Sequence, residues 1–155
     1  MSKPYAIISD IHFHNWQAFS KVGEDGINNR LQYLLDEVKR AADELIKEGG
    51  NTLFVAGDLF HVRGSIAPSV LNPVLDLFQS ISDRGVFTFI IPGNHDLEGK
   101  HSSDIGNAVR ALKSIHSISV IEKPEAFATS KVIMLPWVED LEELRKVLNG
   151  NANPD

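Results

Sequence analysis

The chain has 155 residues, 43% of them hydrophobic and 23% charged, and this balance predicts one soluble domain with its own core. It has no cysteine, which excludes a disulfide framework, a thiolate metal site and a cysteine nucleophile. The net charge of −6 argues against a surface dedicated to nucleic-acid backbones. No apolar stretch approaches the ~20 residues of a membrane span. We therefore expect a cytoplasmic protein without a membrane segment.

Predicted strands and helices alternate along the chain. Apolar runs predict strands over 5–8, 52–56, 86–91, 118–121 and 131–135, with 5–8 fully buried. Apolar residues at helical spacing predict helices over 28–48, 68–84, 104–114 and 140–148. The alternation predicts an α/β fold in which a mostly parallel β-sheet is flanked by helices. We expect one domain over 1–148 and a flexible tail over 149–155.

Polar clusters follow the first three predicted strands. Asp10 and His12 follow the first strand, Asp58 follows the second, and Asn94 follows the third. In a parallel sheet these positions meet at the carboxyl edge, where ligands bind. Asp10 and His12 are two apart, so an extended backbone would point both side chains the same way. Each cluster alone is also typical of a turn or a helix N-cap, but all three in this order favour a metal site.

These clusters resemble a known set of motifs. The stretches Asp10-Ile-His12, Gly57-Asp58 and Gly93-Asn94-His95-Asp96 are similar to the first three signature motifs of the calcineurin-like metallophosphoesterases. The resemblance covers residues 1–137. Gly57-Asp58-Leu59-Phe60-His61 and the third motif are most similar to SbcD-type DNA-repair nucleases, the partners of an SMC-like ATPase. The resemblance implies the N-terminal part of the metallophosphoesterase sandwich.

The resemblance also implies a set of metal ligands. Asp10 and His12 would hold a first ion, Asp58 would bridge two ions, and Asn94 would hold the second. Carboxylate, imidazole and amide oxygen together suit hard or borderline divalent ions. We expect two such ions, with Mn²⁺ favoured and Mg²⁺, Fe²⁺ or Zn²⁺ as alternatives.

Three further residues receive catalytic roles from the same resemblance. His95 would stabilise the transition-state phosphate or protonate the leaving oxygen, Asp96 would orient His95, and His61 would lie beside the scissile phosphate. The implied reaction is hydrolysis of a phosphodiester, most readily in DNA, by a metal-bound hydroxide. The implied protein is therefore a nuclease, with a role in DNA repair and with an SMC-like ATPase or a second copy of itself as partner. Neither exonuclease nor endonuclease is favoured by the residues alone.

The sequence departs from the family pattern at one point that bears on activity. The later histidine and the Gly-His-x-His motif of the family are absent, and the last histidine is His116. The second ion would then keep only Asp58 and Asn94. His14, His101 and His116 are imperfect substitutes, and of these only His14 is placed to reach the site. The alternatives are a catalytically deficient binding or regulatory protein, or a fragment that needs a C-terminal part.

Four other side chains carry open interpretations. Trp16 and Phe19 are expected to pack on the domain, with stacking on a nucleic-acid base as the alternative. Trp137 is expected in the core or at an interface. Arg63 could contact a phosphate or remain solvated. Because a second sheet is incomplete relative to the family, we also expect an apolar surface that needs a cover, provided by a partner chain, a homodimer or a further segment.

Overall fold

The computed structural model describes residues 3–61, 63–99, 106–127 and 132–151. Its strands are β1 (Tyr5–Ile8), β2 (Thr52–Ala56), β3 (Phe87–Ile91), β4 (Ile118–Val120), β5 (Glu125–Phe127) and β6 (Val132–Met134). Its α-helices are α1 (Asn29–Lys47), α2 (Pro68–Asp83) and α3 (Leu141–Asn151), and a 3₁₀ helix spans Ala108–Ser114. Within this part of the chain, no helix is both long and apolar enough to cross a membrane.

Strands β1 to β4 form one sheet in which every neighbouring pair is parallel. Their order across the sheet is β1-β2-β3-β4, so strands adjacent in the chain are also adjacent in space. The predicted α/β fold with a mostly parallel sheet is confirmed. All carboxyl ends lie at the same edge, which brings the first three polar clusters together.

The helices cover one face of this sheet and enclose the main core. The apolar stripe of α1 is buried as predicted, at Leu31, Leu35, Val38, Ala42 and Leu45. Asn28 begins α1, because its side chain accepts hydrogen bonds from two backbone amides of the first turn. Pro68 occupies the first turn of α2, and the helix continues through Pro73.

The opposite face of the sheet is only partly covered. Strands β5 and β6 form a two-stranded antiparallel sheet, and Met134 joins Phe54 and Ile121 in a small second core. Tyr5 and Ile7 on the same face are 54% and 62% exposed. The prediction that residues 5–8 are fully buried was therefore wrong. The prediction followed from the four consecutive apolar residues, which are typical of a strand covered on both faces. β1 is instead the edge strand, and the face that carries Tyr5 and Ile7 is largely exposed.

Several boundaries also differ from the predictions. The third helix is a 3₁₀ helix over Ala108–Ser114, while residues 104 and 105 of the predicted range lie outside the described part. Strand β5 was not predicted, because its three residues show no run of apolar side chains. Helix α3 extends to Asn151, beyond the predicted end at 148. Residues 152–155 of the predicted tail lie outside the described residues, and that part remains a prediction.

Candidate metal centre

The loops after β1 and β2 run side by side and hold each other in place. The amide of Asp10 donates to the carbonyl oxygen of Gly57 at 3.2 Å, and the amide of His12 donates to that of Asp58 at 3.0 Å. Next along the chain, the buried residue Phe13 forms a parallel β-bridge with Phe60, beyond the ends of the two strands. The backbone ladder of the sheet therefore continues into the loops that carry the candidate ligands.

Asp10, His12 and Asp58 all adopt a left-handed backbone, with φ of 54°, 53° and 52°. Side chains other than glycine rarely adopt this conformation, although aspartate and histidine tolerate it better than most. The expectation that Asp10 and His12 converge through an extended backbone was therefore wrong. They lie together because each residue turns the chain sharply.

One potential ligand atom from each of Asp10, His12 and Asp58 lies within 4.8 Å of the others. Nε2 of His12 is 3.9 Å from Oδ2 of Asp58. Nδ1 of His12 is buried and has no hydrogen-bond partner among the residues that the structure describes. Two carboxylates and an imidazole at this spacing fit a divalent ion, which would compensate the two negative charges.

Asn94 lies against Asp58, with its side-chain oxygen 3.1 and 3.0 Å from Oδ1 and Oδ2 of that carboxylate and its nitrogen 3.2 Å from Nη2 of Arg63. Two acceptors therefore face each other at the first contact, and two donors at the second. Rotating the amide by half a turn would turn both contacts into hydrogen bonds, whereas a cation between Asn94 and Asp58 would stabilise the facing oxygens as they lie. Arg63 lines the same cavity as Asn94.

Gly93 allows the third loop to reach the second. A Cβ atom at Gly93 would overlap the carboxylate and the backbone nitrogen of Asp58. Gly57 is less crowded, since a Cβ placed there would lie 3.1 Å from Cα of Gly93, but its φ of 88° is a left-handed conformation that other residues rarely adopt. Only glycine fits where two loops approach so closely, so both positions are required by the packing of the site.

Asp96 is buried, and its carboxylate joins two loops through hydrogen bonds. Its carboxylate accepts hydrogen bonds from the amides of Phe60 at 2.8 Å, Gly93 at 2.9 Å and Leu59 at 3.2 Å. Burial raises the pKa of Asp96, while these three amide donors pull its pKa the other way. The residue ties the second loop to the third.

His95 is oriented by the second loop and not by Asp96. Its Nδ1 lies 3.0 Å from the carbonyl oxygen of His61, which can only accept a hydrogen bond. Nδ1 therefore carries the hydrogen, and Nε2 is the ring nitrogen left for a ligand or substrate. The expected contact between Asp96 and the His95 ring was wrong, because all three hydrogen bonds made by the Asp96 carboxylate come from backbone amides. No sequence signal identifies a carbonyl as the orienting group.

The ring of His61 lies in a crowded group of aromatic side chains. Its centroid is 4.4 Å from that of Trp16, 5.2 Å from His14 and 5.5 Å from His95. Burial lowers the pKa of His61, and positive charge on His14, His12 or His95 would lower it further. Both effects favour the neutral imidazole form of His61. His14 borders the site beside His61.

The remaining sequence candidates fall at different places. Trp16 packs on His61 and under Arg30, whose guanidinium carbon is 5.2 Å from the ring. Phe19 is 99% exposed, so the prediction that it packs was wrong for this residue. Trp137 is half exposed, so it is not in the core, and its place at an interface remains a prediction. His116 is exposed, and His101 lies outside the described residues.

The family description of calcineurin-like phosphoesterases matches residues 3–150 of the sequence. The chain belongs to this family. The exonuclease subunit 1 of Enterobacteria phage T4 is 27% identical over 106 residues, which make up 67% of this calcineurin-like chain and 31% of that protein. The chain thus spans under a third of the length of this relative. A nuclease from Pseudomonas putida, named MPE, is 22% identical, with a TM-score of 0.47 over 79% of this chain and 50% of the other.

Proposed function

We propose that this calcineurin-like protein is a metal-dependent phosphodiesterase that hydrolyses DNA. The observation that carries the proposal is the convergence of Asp10, His12 and Asp58, with one ligand atom of each within 4.8 Å of the others. Family membership supports phosphoester hydrolysis. The exonuclease name of the phage relative favours a nucleic acid as the substrate and, through the word subunit, a protein partner.

In the proposed site, Asp10, His12 and Asp58 would hold one divalent ion, and Asp58 with Asn94 would hold a second. Bound ions supply Lewis-acid polarisation of the phosphate and neutralise its charge. We favour Mn²⁺, since the first ligand set combines carboxylates with an imidazole. With its oxygen toward Asp58, Asn94 presents only its nitrogen to Arg63, so the guanidinium gains no hydrogen bond from Asn94 and is available to a phosphate oxygen.

His95 and His61 act on the substrate in this proposal. The hydrogen bond from Nδ1 of His95 to the carbonyl of His61 leaves Nε2 to face the substrate. From that atom the imidazolium form of His95 would donate a proton to the departing oxygen and become the neutral ring protonated at Nδ1. The ring of His61 stacks on that of His95, with 14° between the planes, and lies on the same side of the site. A neutral His61 can donate a hydrogen bond to the phosphate without adding a competing positive charge beside the ions.

The decisive experiment measures Mn²⁺-dependent hydrolysis of bis(p-nitrophenyl) phosphate and of single- and double-stranded DNA. We expect turnover in the natural chain, a loss of about 100-fold or more in His95→Ala, and no change in His116→Ala, where the histidine is exposed. Activity that survives His95→Ala would remove His95 from the mechanism. Hydrolysis of the small diester without any cleavage of DNA would reject the nuclease assignment.

A second candidate function is a phosphoesterase-like binding protein without turnover. The observation that favours it is that, among the described residues, the proposed second ion has only two ligands, Asp58 and Asn94. This candidate predicts one bound Mn²⁺ per chain and no hydrolysis of either substrate. Restoring activity by adding a C-terminal segment from the phage relative would instead identify an incomplete enzyme.

A further inference from the structure

Three histidines from three different loops form a cluster beside the carboxylate site. His12, His61 and His95 follow β1, β2 and β3, and one ring nitrogen of each lies within 4.8 Å of the other two. The ring centroids are 4.9 Å apart for His12 and His95, 5.4 Å for His12 and His61, and 5.5 Å for His61 and His95. We call these three side chains the histidine cluster.

The histidine cluster has the donor chemistry of a different ion from its neighbour. Its three donors are imidazole nitrogens, and the cluster contains no carboxylate. The adjacent set of Asp10, His12 and Asp58 combines one imidazole with two carboxylates. Late first-row ions such as Zn²⁺ bind three imidazoles and a water well, whereas Mn²⁺ and Mg²⁺ prefer oxygen ligands.

The spacing of the ring nitrogens and the hydrogen bonding of the rings favour a bound ion. A tetrahedral Zn²⁺ with bonds of about 2.0–2.1 Å places its nitrogens about 3.4 Å apart, so the rings would close by roughly an ångström. The carbonyl of His61 already sets the tautomer of His95, as carbonyls do for metal-bound histidines. Nδ1 of His12 is buried and has no partner among the described residues, which leaves this ring without a competing hydrogen bond at that atom.

We propose that His12, His61 and His95 form a second cation site, selective for Zn²⁺ and similar late first-row ions, that competes with the carboxylate site. His12 is shared, so an ion held by the histidine cluster deprives Asp10 and Asp58 of their imidazole. The same ion also prevents His61 and His95 from acting on a substrate. Binding stands on the geometry alone, while inhibition of hydrolysis by Zn²⁺ rests on the proposed function.

The test measures binding of Zn²⁺ by calorimetry and of Co²⁺ by visible absorption to the full chain. Tetrahedral Co²⁺ with nitrogen ligands gives intense bands that octahedral Co²⁺ bound through oxygens lacks. We expect these bands in the natural chain and in Asp10→Asn, and their loss in His61→Asn with at least a 10-fold fall in Zn²⁺ affinity. His116→Asn, which changes an exposed histidine, should bind as the natural chain does.

The opposite pattern would overturn the proposal. If Zn²⁺ binding is lost in Asp10→Asn and unchanged in His61→Asn, the ion occupies the carboxylate site only. His95→Asn provides a second variant in case His61→Asn does not fold, as judged by circular dichroism. The same loss of the Co²⁺ bands is expected in that variant, and their retention there would equally contradict the site.

Zn²⁺ binding by the histidine cluster and Mn²⁺-dependent hydrolysis can fail independently of each other. Zn²⁺ and Co²⁺ binding with His61-dependent spectra would stand even if Mn²⁺ supported no hydrolysis. Conversely, Mn²⁺-dependent hydrolysis with no His61-dependent Zn²⁺ binding would support the phosphodiesterase proposal and reject a cation site at the histidine cluster. If both hold, added Zn²⁺ should inhibit the Mn²⁺ reaction at concentrations that match its measured affinity.

Discussion

The backbone amide of His95 donates a hydrogen bond of 2.9 Å to Oδ1 of Asp58. This bond joins the second and third loops through the one side chain that the proposal places between two ions. Because the carboxylate is fixed by a backbone group, its position does not depend on the rotamer of any neighbouring side chain. The position of Asp58 is consequently set by the fold and does not require a bound ion.

Replacing Gly93 by alanine should damage both stability and the site. The added Cβ overlaps the carboxylate and backbone nitrogen of Asp58, and backbone atoms cannot rotate away. We expect a loss of about 3 kcal/mol in the free energy of unfolding, together with weakened metal binding. Urea denaturation measures the first and calorimetry with Mn²⁺ the second.

Gly150→Ala is the matched control, because a Cβ at this helical position meets no atom within 4 Å. It should leave metal binding unchanged and raise stability by up to about 1 kcal/mol. Equal effects of the two substitutions would show that Gly93 is not constrained by its contact with Asp58.

Replacing Asp96 by asparagine should destabilise the fold although the two side chains have nearly the same shape. The carboxylate accepts from three backbone amides, two of them buried, and an asparagine must turn its own NH₂ toward at least one of the three. We expect a loss of about 3 kcal/mol, measured by urea denaturation of the metal-free protein. Asp76→Asn, at an exposed position of α2, should change stability by less than about 0.5 kcal/mol. Equal losses of unfolding free energy in the two variants would argue that the hydrogen bonds of Asp96 do not stabilise the fold.

Removing one carboxylate from the proposed first ion site should remove most of the stabilisation by metal. An ion present at 100 times its Kd raises the free energy of unfolding by about 2.7 kcal/mol, and EDTA should abolish this gain. We expect Asp10→Asn to keep little of it, because the site loses a charged ligand. Thermal unfolding with and without Mn²⁺ measures the difference, with Asp76→Asn again as the control. Full stabilisation of Asp10→Asn would exclude Asp10 from the ligands.

The two faces of the sheet predict opposite responses to one substitution. Ile90 of β3 is completely buried under the helices, whereas Ile7 of β1 is 62% exposed on the other face. Ile90→Thr should cost about 2–4 kcal/mol, since it leaves a void and buries a hydroxyl group. Ile7→Thr should cost less than about 0.5 kcal/mol. A large loss in Ile7→Thr would mean that the face around β1 is covered in solution.

The sequence was most informative where residue order and strand order coincide. Asp10, Asp58 and Asn94 each follow an apolar strand, and parallel strands bring their ends to one edge whatever the details of the loops. The exposure of Ile7 could not be predicted, because an edge strand and a central strand of this sheet have equally apolar residues. Which face is covered depends on the distant residues of β5 and β6.

The fine geometry of the site depends on backbone groups that carry no sequence signature. The left-handed turns at Asp10 and His12 accompany hydrogen bonds from their backbone amides to the neighbouring loop, and a backbone amide is present in every residue but proline. The partner of the His95 ring is a backbone carbonyl, and the carboxylate of Asp96 binds backbone amides. Because nearly every residue type carries these groups, the sequence does not reveal either contact. Residue types therefore predicted which groups lie at the site but not what holds each one.

The in-order sheet also has a consequence for synthesis of the chain. Each strand docks beside the one made just before it, so the contacts that build the site form between segments close in the chain and carry little loop-closure cost. Asp10, His12 and Asp58 belong to the first two strands and their loops. If the proposed site is correct, its first ligand set is complete within the first β-α-β unit of the chain, and only Asn94 depends on the placement of β3.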